Sequence, residues 1–256
     1  MNPDFLVCRN VRVLFGWKFF FLYFWVNSYD TFMITKEQVE IFVTQAHRYG
    51  EARLMLCSSG NLSWRVGDKM LVSGTGSWLP VLPPEKVAVC DIISGQVENG
   101  VRPSMESVFH LGIFRNRPEV NVVLHFQSEY ATVVACMKNK PLDFNVTLEV
   151  PFWPHGQNQI MARRRVCYVI FIVPYFRPGS PELAEAVIEA MQEHDVVLLS
   201  NHGQVVCGRD FDEVLERALF FEMACRIIVQ SRMDYTVLSR KEVEDLRNSL
   251  GLARIP

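Results

Sequence analysis

Apolar residues recur at mixed three- and four-residue spacing after Thr35, at Val39, Ile41, Phe42 and Ala46. That is the stripe of an amphipathic helix, with Thr35 as its N-cap and Tyr49–Gly50 as its stop. The pattern then shortens to strand-like runs at 62–66, 70–73 and 87–93, separated by glycine turns at Gly67–Asp68, Gly74–Thr75–Gly76 and Ser94–Gly95. Such a succession is a meander, not a βαβ alternation. Helical spacing returns at 104–115 through Val108, Leu111 and Phe114 and must end before Pro118, after which 120–125 reads as a buried strand. Ser180 and Pro181 open a helix over 181–193. Strands at 196–200 and 204–207 flank a tight Asn201–His202–Gly203 turn, and Asp210 caps a long helix reaching Gln230. With no repeat or linker in this order, the pattern predicts one mixed α/β domain.

Two stretches stand apart. Residues 153–172 carry Gln157–Asn158–Gln159, three arginines and an apolar run, and receive no assignment. In residues 1–32 the apolar run 19–26 follows Arg9, Arg12 and Lys18, but it is far short of the ~20 residues needed to span a bilayer. No A-x-A-like cleavage site follows it. Residues 1–32 are therefore read as an atypical apolar extension and 33–256 as the domain, with Met33 the expected start of the working protein.

Composition narrows the classes. At 256 residues and 49% apolar content the chain can bury one substantial core. Twenty-six basic and 28 acidic residues nearly cancel, and no basic block exceeds Arg163–Arg164–Arg165, which excludes nucleic acid as the expected partner. Seven scattered cysteines without a C-x-x-C pair argue against a disulfide framework and a cysteine-rich zinc site, and for a reducing cytoplasm.

Chemistry concentrates in separated motifs. Gly60–Asn61–Leu62–Ser63 and Gly74–Thr75–Gly76 are glycine-bearing turns whose N–H groups and small hydroxyls can hold an oxyanion, and neither follows the P-loop pattern. Ser104, opening a helix, adds a third such contact. Glu106 in the first turn of that helix has a structural explanation too, since the helix dipole favours a carboxylate there by roughly 0.3–1 kcal/mol. His125 ends a strand, and Gln127 projects from the same face if the strand continues. His202 sits in a tight turn that can aim an imidazole into a cleft. Two histidines and a carboxylate suit a catalytic divalent ion with an open coordination position. His47, His110 and His194 read as ordinary helix-borne residues.

These motifs, with Pro103–Ser104–Met105–Glu106 and Val122–Val123–Leu124–His125, stand in the order seen in class II, metal-dependent aldolases. The chain resembles the class II aldolase and adducin family over about 33–231, in particular its fuculose-phosphate aldolase branch. The resemblance implies a three-layer α/β/α domain with a central, mainly antiparallel sheet, a homotetramer with sites near subunit interfaces, and a zinc ion held by histidines. It implies that Gly60, Asn61, Thr75, Gly76 and Ser104 hold a sugar phosphate and that Glu106 is the acid/base residue. The metal ligands are then His125, His202 and, in place of a further histidine, Gln127. The reaction would be retro-aldol cleavage of a ketose phosphate to dihydroxyacetone phosphate and an aldehyde. Epimerisation, dehydration or non-catalytic binding on the same scaffold are the alternatives. The chain departs from the branch at Met105, where a second serine is expected, and at Gln127, whose amide oxygen is a weaker zinc donor than imidazole. His155 is the substitute donor.

Overall fold

Helix α1 (Lys36–Glu51) begins as its sequence requires. Thr35 is extended, its hydroxyl accepts the Gln38 N–H at 3.2 Å, and the Gln38 side chain accepts the Thr35 N–H at 2.8 Å, a closed capping box. The helix buries Phe42, Val43, Ala46 and Tyr49. The computed structural model describes residues 33–141, 143–150 and 170–249, and all the elements below belong to the unit that starts at Ile34. Residues 1–32, His155 and nearly all of the unassigned 153–172 stretch lie outside the described residues.

Seven strands form one sheet: β1 (Gly60–Val66), β2 (Lys69–Ser73), β3 (Val87–Asp91), β4 (Val122–Phe126), β5 (Phe171–Val173), β6 (Val196–Leu199) and β7 (Gln204–Gly208). Their order is β3-β2-β1-β4-β7-β6-β5, every pair antiparallel except β5 with β6. Five further helices complete the described chain: α2 (Ser107–Asn116), α3 (Glu129–Cys136), α4 (Pro181–Ala190), α5 (Phe211–Gln230) and α6 (Arg240–Ser249).

Strand alternation decides the layers. Leu62, Leu71, Leu124, Phe126, Leu198 and Val206 face one core with α1, α3 and α5, while Met70, Val72, Val123, Val197 and Val205 face the other with α2 and α4. The result is the three-layer α/β fold with a mainly antiparallel sheet. Among the described residues no helix is long and apolar enough to cross a membrane.

Four elements differ from the sequence expectation, the first being α6 (Arg240–Ser249), which lies beyond the last element read from the pattern. The helix expected from Ser104 starts at Ser107, because Ser104 first closes a turn in which its carbonyl accepts the Ser107 N–H at 3.1 Å. Helix α3 escapes the pattern because it has eight residues, including Thr132, Val133 and Val134, whose β-branching weakens helix propensity. Strand β5 is three residues long, too short to show a period.

Candidate metal centre

Alternation along β4 sends Leu124 and Phe126 into one core and turns His125 to the other face, opposite Asn61 of β1 in the sheet register. Its ring stands edge-on to Phe109, with centroids 6.0 Å apart. Nδ1 lies 2.9 Å from the Gln204 carbonyl, which can only accept, so in the neutral ring this nitrogen carries the proton. Nε2 is left as a lone pair, 3.3 Å from Glu106 Oε2. A fixed imidazole of this kind is how a ligand histidine is held by its outer nitrogen.

His202 arrives from the turn between β6 and β7, where Asn201 adopts the left-handed region at φ 56. Its Nε2 is 3.5 Å from Glu106 Oε1, and its ring centroid is 4.8 Å from that of His125. Gly203 is what permits this approach: a Cβ there would lie 2.4 Å from the Phe126 carbonyl oxygen, a backbone atom that cannot swing aside. Gly203→Ala is expected to push the turn off the end of β4, lowering stability by about 1–3 kcal/mol as overpacking does. Affinity for a divalent metal is expected to fall with it. Urea unfolding and a zinc titration check both, and an unchanged variant would show the turn to be soft.

Glu106 is the residue immediately before α2, with φ −97 and ψ 3, and makes no side-chain cap. Its N–H donates to the Ser104 hydroxyl at 3.3 Å, and its carboxylate turns inward, 9% exposed. Oε2 accepts from Asn61 Nδ2 at 3.0 Å, whereas Oε1 is buried with no hydrogen-bond partner. His202 Nδ1 is also buried without one. Burial holds the His202 pKa down at about 4, with neighbouring His125 acting in the same direction and the Glu106 carboxylate against both. The ring is thus neutral near pH 7 and its lone pair available.

Ligand atoms of Glu106, His125 and His202 lie within 4.8 Å of one another, all three residues buried. A buried carboxylate oxygen without a partner is costly, and a cation at Glu106 Oε1 satisfies it. Two imidazoles and a carboxylate are a donor set for a catalytic divalent ion, so the residues fit the group.

The cluster lies in an open cleft of ≈ 620 Å³ that brings together all nine residues singled out in the sequence: Gly60, Asn61, Thr75, Gly76, Ser104, Glu106, His125, Gln127 and His202. Gly76 has φ 70, in the left-handed region that favours glycine. Gly74 and Thr75 N–H groups are spent on the Lys86 and Arg102 carbonyls, at 2.8 and 3.1 Å, so they are not oxyanion donors. Asn61 departs further from the expectation of a phosphate contact. Both ends of its amide are engaged inside the protein, Nδ2 with Glu106 and Oδ1 with His110. Gln127 lines the cleft although β4, which was to carry it there, ends one residue earlier at Phe126. Its Cγ packs under the His202 turn, 2.8 Å from where a Gly203 Cβ would stand.

Sequence reasoning missed Tyr175, which lines the same cleft, and the place of His110. His110 is fully buried and bonded at both ring nitrogens, not an ordinary surface-helix residue. A signal existed. His110 lies four residues after Glu106, the spacing that stacks side chains along a helix.

Residues 41–229 match the family described as Class II Aldolase and Adducin N-terminal domain. The chain belongs to this family. The 3-oxo-tetronate 4-phosphate decarboxylase of Haemophilus influenzae is 32% identical over 82% of this chain and 96% of its own length. The L-fuculose phosphate aldolase of Methanococcus maripaludis is 32% identical over 64% of this chain and 80% of its own. Among solved structures, Escherichia coli YgbL, described as an aldolase/epimerase/decarboxylase, superposes with TM-score 0.67 at 27% identity, covering 82% of this chain and 98% of its own.

Proposed function

We infer that this family member is a divalent-metal-dependent carbon–carbon lyase, and that decarboxylation of a 3-oxo sugar acid phosphate is the reaction the site supports best. The observation that carries the lyase reading is the buried Glu106–His125–His202 cluster, with the unpartnered Glu106 Oε1, at the cleft. The same cluster favours catalysis over non-catalytic binding. The relative matched along 96% of its length favours decarboxylation over the retro-aldol reaction expected from the sequence.

Both reactions place an electron pair on the carbon next to a ketone. In a 3-oxo-tetronate 4-phosphate the C1–C2 bond breaks, CO2 leaves, and C2 takes one proton to give dihydroxyacetone phosphate. Retro-aldol cleavage of a ketulose 1-phosphate gives the same product but needs, in addition, a base to remove the hydroxyl proton of the departing aldehyde. Glu106 is the only carboxylate among the described residues lining the cleft, which suits a reaction with a single proton delivery. A divalent cation, zinc in this reading, supplies electrophilic stabilisation of the ketone oxygen when bound by His125 and His202, with Glu106 or Gln127 completing its shell. Glu106 holds the proton destined for C2. Gly60, Thr75, Gly76 and Ser104 bind the phosphate and let its binding energy orient the reacting bond. A cytoplasmic homotetramer completes the proposal; the five cysteines assigned among the described residues are free thiols.

The test offers zinc-loaded protein 3-oxo-tetronate 4-phosphate and, separately, L-fuculose 1-phosphate, and assays CO2 and dihydroxyacetone phosphate. Equal release of both from the first substrate is the expected result, lost on chelation and restored by zinc. Cleavage of the second alone makes the chain an aldolase, and turnover of neither removes the lyase reading for these substrates.

A further inference from the structure

Behind Glu106 runs a chain of hydrogen bonds that leads from the cleft into the core. Ser63 and His110 are fully buried, and Asn61 is 5% exposed. Ser63 Oγ lies 2.6 Å from His110 Nδ1, His110 Nε2 lies 2.6 Å from Asn61 Oδ1, and Asn61 Nδ2 lies 3.0 Å from Glu106 Oε2. The direction of every bond follows from its last member. A carboxylate only accepts, so the Asn61 amide must present its NH2 group to Glu106 and its oxygen to His110. That oxygen also only accepts, so His110 carries its proton on Nε2. The neutral ring then has a lone pair on Nδ1, and the Ser63 hydroxyl donates to it.

We propose that Ser63 and His110 are positioning residues which, through Asn61, tether one oxygen of Glu106 and leave the other free to work. The two oxygens of this carboxylate are unequal in the structure: Oε2 is held by Asn61, while Oε1 has no hydrogen-bond partner and stands toward His202. An amide alone would not hold this arrangement, because Asn can turn its NH2 group away and leave both Glu106 oxygens loose. The His110 N–H removes that freedom, since a rotated amide would set an N–H against an N–H on one side and an oxygen against a carboxylate on the other. Ending the chain on a hydroxyl, with no acid next to His110, keeps the ring neutral and its proton on one nitrogen. Side chains that orient a reacting group in this way typically matter by about 10–100-fold.

The proposal rests on the lyase reading for its kinetic consequence, but the tautomer can be read without any substrate. In zinc-loaded protein carrying 15N-histidine, long-range nitrogen–proton correlation should show His110 protonated on Nε2 alone. His110→Leu should lower kcat about 10–100-fold with KM and zinc content little changed. His110→Gln, which can still donate to Asn61, should recover most of the loss, as an effect of packing alone would not. A proton on Nδ1, a leucine variant as fast as wild type, or a glutamine variant as slow as the leucine one would each overturn the relay. If the leucine variant does not fold, the glutamine variant and the nitrogen spectrum decide. Wild type that turns over neither substrate would instead sink the lyase reading, and the tautomer measured on the same sample still upholds or overturns the relay.

Discussion

Glu106→Gln is expected to reduce turnover by about 10²–10⁴-fold, the range contributed by a positioned general acid or base. The substitution preserves volume and one oxygen, so the 9%-exposed pocket is not emptied. What is lost under the proposed reaction is the proton Glu106 would hold for C2, together with the charge that faces His125 and His202 at 3.3 and 3.5 Å. The two losses separate experimentally. If zinc titration shows wild-type affinity while kcat collapses, Glu106 moves the proton. If affinity falls by as much as turnover and excess zinc restores the rate, Glu106 is chiefly a ligand. An active variant with normal zinc content would exclude both roles.

Much of this site was legible because its parts lie at positions that local rules define. The N-cap at Thr35, the apolar run through Val122 to His125 and the Asn201–Gly203 turn are local signals, and each stands in the structure where the sequence put it. The fold class followed from the same signals and from the order of the motifs. Other features escaped because they depend on neighbours distant in sequence. Asn61 resembles an anion-binding turn residue when only Gly60 and Ser63 are considered. Its engagement with Glu106 and His110 arises from β1 pairing with β4 and from α2 packing over that face. Nor does spacing alone reveal that the Thr75 N–H is already spent, since its partner is the Arg102 carbonyl 27 residues on. The start of α2 was misplaced for a local reason: Ser104 has the side chain of a cap but forms a preceding turn. Glu106 thereby sits before the helix and is free to turn inward.

The neutrality of His110 makes a second large effect, on stability against acid. Burial, with a smaller effect of the same sign from neighbouring His125, holds its folded pKa at about 3 against an ordinary value of 6.5. Ser63 and Asn61 bond its two nitrogens and Phe109 stacks on it at 4.8 Å, so among the described residues no carboxylate bonds the ring to favour its charged form. Above about pH 6.5 both folded and unfolded chains are neutral at this position and its contribution is constant. As pH falls from there toward 3, only the unfolded chain gains the proton, so folding stability is lost at up to about 1.4 kcal/mol per unit. Between pH 7 and pH 5 the expected loss from this one group is about 2 kcal/mol. His202, with its pKa held at about 4, adds a loss of the same sign, which is why the comparison must be made between variants and not read from wild type alone. Urea unfolding with chelator present, at pH 7 and pH 5, should show wild type losing about 2 kcal/mol more than His110→Gln over that interval, whatever the absolute stability of the variant. Parallel losses in the two proteins would mean that His110 takes up its proton without unfolding, and that the chain of bonds behind Glu106 can tolerate a charged ring.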